Sequence, residues 1–94
     1  MLRQLKKDFD GKGEVRGYHF KQIAKSRYGY IYLVTGGTEP RYEVFEHKVN
    51  ARRSIVRYPN ANAFGKWAFT EFDLPSAKKR LKTLSEKVLL RKKK

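Results

Sequence analysis

The sequence predicts an α+β fold: an antiparallel meander of four or five strands, covered on one face by a C-terminal amphipathic helix. Three observations point there. Residues 28–35 read Tyr-Gly-Tyr-Ile-Tyr-Leu-Val-Thr, a run of aromatic and β-branched residues that suits a pleated surface. Polar, Gly- or Pro-bearing breaks separate this run from its neighbours at hairpin spacing. Leu74, Ala77, Leu81, Leu84 and Val88 recur at helical spacing and form one apolar stripe. The chain reads as one domain over residues 1–94: an arm or short helix over 1–13, the sheet within 18–72, the helix over 73–90 and a basic tail over 91–94.

In chain order, Leu2, Leu5 and Phe9 stand at i, i+3 and i+7 among Arg3, Lys6 and Lys7. That pattern predicts a short amphipathic helix or a basic arm. Asp10-Gly11-Lys12-Gly13 stops it. The first strand is expected within 14–26 and is clearest from Tyr18 to Ala24, with Lys25-Ser26-Arg27 as its turn. The central strand follows over 28–35. Its alternation puts Tyr28, Tyr30, Tyr32 and Val34 on one side and Gly29, Ile31, Leu33 and Thr35 on the other. The aliphatic side suits a core; the helix is expected to cover one face of the sheet, without the sequence saying which, and the other face is left with tyrosines and basic residues. Gly36-Gly37-Thr38-Glu39-Pro40 is a hairpin turn. It lacks the Lys-Ser/Thr of a phosphate-binding loop and precedes another strand, Arg41 to Val49. After a turn at 50–53, Ser54 to Tyr58 reads as a fourth strand. After the loop at 59–63, residues 64–72 read as a fifth. Asp73 is a good helix N-cap, and Pro75 is tolerated in the first turn.

The charge is lopsided: 23 Lys and Arg against 9 Asp and Glu, a formal +14. Such an excess costs stability by self-repulsion, and a polyanionic partner would offset it. With no cysteine there are no disulfides, thiol catalysis or cysteine–zinc sites. No apolar run reaches membrane-span length, and 1–7 has no signal-like apolar stretch, so a cytoplasmic protein is expected. His19 and His47 have no acid–base pattern around them, and the acids form no divalent-cation cluster. The reading is non-enzymatic, without cofactor or metal.

Lys and Arg neutralise phosphates, and aromatic rings on an open sheet stack on unpaired bases. The expected function is therefore nucleic-acid binding, to single-stranded DNA or RNA in preference to duplex. The candidate residues are Arg27, Tyr28, Tyr30, Tyr32, Arg52, Arg53, Arg57, Tyr58, Lys66, Lys78, Lys79 and Lys82. The alternative is a protein-docking or inhibitory factor, of the phage-inhibitor type, on an acidic protein surface or a ribonucleoprotein. No membrane partner is expected. Monomer and dimer are both open, because edge strands of a small sheet can pair between protomers.

Gly29-Tyr30-Ile31-Tyr32, a turn and then Tyr42 resemble the opening of GIY-YIG nucleases. Glu43-Val44 replaces the Ile-Gly that completes the motif, and a further strand stands where that family has a helix. A meander followed by one helix is also similar in layout to Whirly and PUR-type single-strand binders.

Overall fold

The computed structural model describes residues 4–13, 16–50 and 52–92. Among the described residues, seven strands and one α-helix follow in order, with a short 3-10 turn at Ala61–Ala63: β1 Asp8–Asp10, β2 His19–Lys25, β3 Gly29–Thr35, β4 Arg41–Glu46, β5 Val49–Asn50, β6 Ile55–Val56, β7 Ala68–Glu71 and α1 Leu74–Lys92. The main sheet is five-stranded and antiparallel, in the order β1-β2-β3-β4-β7, with α1 packed against it. β5 and β6 form a separate two-stranded hairpin between β4 and β7.

The alternation of β3 sets the two faces. Gly29, Ile31 and Leu33 share the helix side, where Ile31, Val44, Ala77 and Leu84 form one core with Leu81 and Phe69 against it. The helix stripe packs as its periodicity requires: Ala77 and Leu84 are buried, while Leu74, Leu81 and Val88 are half-buried. Gly29 is needed there. A Cβ on it would lie 2.7 Å from the Phe45 carbonyl oxygen and 2.8 Å from Leu81 Cδ1, closer than atoms pack. Asp73 caps the helix by accepting from the Ser76 N–H at 2.8 Å and its hydroxyl at 3.0 Å, and these bonds hold its carboxyl below the usual range. The β3–β4 turn needs glycine at Gly36, whose φ is +107° and whose missing Cβ leaves room for the Gly17 carbonyl.

The opposite face is also covered. Phe20, Tyr30, Tyr32, Val34, Phe45, Val56, Ala63 and Ala68 form a second core, with Phe9, Tyr58, Phe64 and Trp67 packed on it. The β5–β6 hairpin and the irregular chain that follows it supply this cover, so the sheet is sandwiched between unlike layers.

Four expectations are corrected. The segment read as a short helix or an arm contributes a strand at 8–10, not a helix, because Phe9 pairs with Phe20 and their rings stack at 4.9 Å; residues 1–3 lie outside the description. The strand expected at 54–58 is not in the main sheet. Only Ile55–Val56 is extended, and it pairs with Val49–Asn50, so β1 and not this segment completes the five strands. The tyrosine side is not open: Tyr30 and Tyr32 are 1% and 0% exposed. The basic tail does not begin at Arg91. The helix continues to Lys92, and Arg91 pairs with the buried Glu46; residues 93–94 lie outside the description.

Candidate nucleic-acid interface

The hairpin between β4 and β7 brings basic side chains together. Arg57 N–H donates to the Lys48 carbonyl at 2.8 Å, which sets the two residues side by side. Their cationic groups both lie over the ring of Trp67, Arg57 at 5.5 Å and Lys48 at 5.6 Å from its centroid, within cation–π range. Trp67 is placed from below. Its ring meets Phe45 edge-on at 6.5 Å, its N–H donates to the Ala63 carbonyl and its own carbonyl accepts from Glu46 N–H. The ring is therefore half-buried on the core, with both cations within cation–π range of it.

Arg52 and Arg53 are exposed on the turn that joins the hairpin strands, and Lys66 is exposed immediately before Trp67. Ser54 closes this turn in the left-handed region, with φ at 54°. Among the predicted residues, Arg52, Arg53 and Arg57 thus share one hairpin, with Lys66 beside Trp67. Arg27 and Tyr28 belong to the β2–β3 turn, with the Arg27 guanidinium 5.7 Å from the half-buried Tyr28 ring. Lys78, Lys79 and Lys82 are exposed on α1 and so lie on the other side of the sheet from the hairpin.

Tyr30, Tyr32 and Tyr58 do not present ring faces for stacking. Tyr30 and Tyr32 pack against Phe45 at 5.4 and 5.7 Å, and His47 and Lys25 lie against Tyr30. Tyr32 donates its hydroxyl to the Lys6 carbonyl at 2.6 Å and accepts from the Gln22 side-chain amide at 2.9 Å. Tyr58 sits edge-on to Phe9, Phe20, Tyr32 and Phe45. Burial raises the phenol pKa of all three, so they remain neutral hydrogen-bonding groups. For Tyr32 the Gln22 bond works the other way, and for Tyr58 the neighbouring Glu43 carboxylate adds to the rise.

Two residues of this basic cluster escaped the sequence reading: Lys48 and Trp67. The signal for Trp67 was present as a single indole flanked by Lys66, but period-two alternation does not say which side of a strand meets a core. Lys48 could not be found, because its partner is 19 positions away in sequence.

Beside the hairpin lies a cleft of about 830 Å³ between β1, β4, β7 and the chain around Tyr58. Glu43 is 6% exposed at this cleft. It accepts from the Tyr58 hydroxyl at 2.5 Å and from Arg41 Nε at 3.3 Å. On the far side of β1, His19 bonds Asp10 at 2.8 Å and pairs with Asp8. The Asp10 hydrogen bond is the main reason its pKa is raised; desolvation opposes it, and the charges of Asp8 and Asp10 add to the rise. No group of three or more His, Asp or Glu among the described residues is arranged to hold a metal ion. No helix among the described residues is long and apolar enough to cross a membrane.

Comparison of the chain with protein-family models, with curated proteins and with solved structures returns no significant match.

Proposed function

We propose that this chain is a non-enzymatic nucleic-acid-binding module that holds single-stranded DNA or RNA on its β5–β6 hairpin. Arg52, Arg53, Arg57, Lys48 and Lys66 supply phosphate contacts, and Trp67 with the Arg57 guanidinium supplies a planar stacking surface. The observation that carries this reading is the convergence of Lys48 and Arg57 over Trp67, in a chain of net charge +14. A positive groove with an aromatic platform is how single strands are held without base readout. A ring seated on the core is already ordered, so little conformational freedom is lost on stacking. The same surface favours a single strand over duplex, because stacking needs exposed base faces. The cysteine-free composition suits the reducing cytoplasm.

The test uses a fluorescein-labelled oligonucleotide, single-stranded or duplex, in an anisotropy titration across a salt series. Trp67 is the sole tryptophan, so quenching of its emission reports the same event from the protein side. Arg57→Ala and Lys48→Ala should each flatten the log–log salt slope by roughly 0.7. Trp67→Ala should weaken binding by roughly 1–3 kcal/mol at every salt concentration and leave the slope in place. Binding no tighter than ~10⁻⁴ M at physiological salt would refute the reading and favour the alternative, docking on an acidic protein surface.

A further inference from the structure

We infer that the cleft beside the hairpin receives one extruded guanine base of the bound strand, held edge-on by Glu43. This rests on the single-strand reading above and adds a base preference to it.

The cleft has the size of a small-ligand site; four aromatic residues give it an apolar wall, and charged and polar side chains such as Glu43, Arg41 and Asp10 complete it. Phe9, Phe20 and Tyr58 already pack against other rings of the second core. Phe64, half-buried at the cleft wall, makes no ring contact among the described residues and offers a stacking face.

Of the polar groups lining the cleft, the Glu43 carboxylate is the buried one, and it selects the ligand's edge. One Glu43 oxygen accepts from Tyr58 and the other from Arg41. An ionised carboxylate oxygen has two acceptor positions, so each retains one. A ligand meeting both must present two N–H donors side by side. Guanine does so with its ring N1–H and exocyclic amine. Adenine and cytosine offer one donor beside an acceptor, and uracil one donor between two acceptors. Tyr58, kept protonated by burial, continues to donate and holds the carboxylate in place.

The rim supplies the phosphate side. Lys6 and Lys12 are exposed there, and neither has a carboxylate within ion-pair distance among the described residues. Continuity with the hairpin is direct, since Arg57 over Trp67 is followed at once by Tyr58 in the cleft wall. A strand lying across Trp67 therefore passes the cleft mouth.

The experiment compares labelled octauridine with the same oligomer carrying one central G, A or C, by anisotropy and by ¹H–¹⁵N chemical-shift mapping of the full chain. The G oligomer should bind at least about fivefold more tightly than the A or C oligomer. Its added shifts should fall on Gly11, Asn60 and Phe64. Glu43→Gln should erase the G preference. Phe64→Ala, at a half-buried position that tolerates truncation better, decides the matter if the Glu43 variant does not fold, and should also erase it. Equal affinity for the four oligomers with shifts confined to the Trp67 region overturns the pocket and leaves the hairpin reading standing. A G preference that survives Phe64→Ala likewise overturns it. Absence of binding to any oligomer overturns both.

Discussion

Removing the Arg91 guanidinium should destabilise the domain by about 2 kcal/mol. Arg91, in the last turn of α1, donates to Glu46 at the end of β4, and this pair ties the far end of the helix to the sheet. The two side chains differ in exposure: Glu46 is 5% exposed and Arg91 51%. A fully exposed pair contributes about 0.2–1 kcal/mol. Loss of one partner of a fully buried pair costs about 3–5 kcal/mol, because an uncompensated charge stays buried. Arg91→Ala leaves the buried member behind, and water reaching the arginine side reduces the penalty to a value between these limits. For a domain of this size about 2 kcal/mol corresponds to a fall in Tm of roughly 8–16 °C. Glu46→Gln should cost less than about 1 kcal/mol, since the half-exposed guanidinium can turn to water. The double variant Glu46→Gln/Arg91→Ala should recover part of the loss, giving a coupling energy of about 1 kcal/mol. Urea unfolding followed by circular dichroism and by Trp67 emission supplies all four values. An Arg91→Ala variant within 0.5 kcal/mol of the parent would refute the claim that this contact anchors the helix end.

Leu84→Asp should abolish cooperative unfolding, because Leu84 is 3% exposed in the helix-side core and an unpaired charge there costs several kcal/mol; an unchanged melting curve would contradict the packing. Gly29→Ala should destabilise by about 1–3 kcal/mol, and adding Leu81→Ala should relieve only part of it, since the Phe45 carbonyl that also crowds the new methyl is backbone. His19 should make stability pH-dependent. Its raised pKa means that protonation is favoured in the folded state, so the contribution is complete below pH 6.5 and is lost as pH rises through the folded value. Tm should therefore fall between about pH 6 and 8 in the parent, and His19→Gln should flatten that fall.

The parts of the fold legible in the sequence were those governed by local periodicity. The helix stripe needs only its own spacing, and the β3 alternation separates Ile31 from Tyr30 without knowledge of any partner. What covers each face is non-local. Tyrosine suits a half-exposed strand and an aromatic core equally well, and the choice at Tyr30 and Tyr32 is made by Phe9, Val56 and Tyr58, which arrive from distant segments. The same cause hid β1. Leu2, Leu5 and Phe9 fit a helical face, but one apolar residue between two acids also fits a strand, and the Phe20 ring settles it. Of the candidate interface, the arginines of the hairpin were visible as a charge cluster. The ring they surround was not, because Lys48 and Arg57 approach Trp67 through a turn whose geometry depends on Ser54 in the left-handed region.

β1 also bears on how copies of this chain behave toward one another. It pairs with β2 over Asp8, Phe9 and Asp10 only, yet it occupies the outer edge of a seven-residue strand. An unpaired strand edge is a template for another chain, and short, charged edge strands are how small sheets avoid that fate. Here the edge piece is short, carries two aspartates and is clasped by His19. Loss of that clasp at alkaline pH would weaken the cover over the His19–Lys21 stretch of the β2 edge, next to the already exposed Ile23. High salt would at the same time screen the +14 that otherwise keeps molecules apart. High salt at raised pH is therefore the condition under which it should self-associate. Handling it at pH 6 keeps β1 seated.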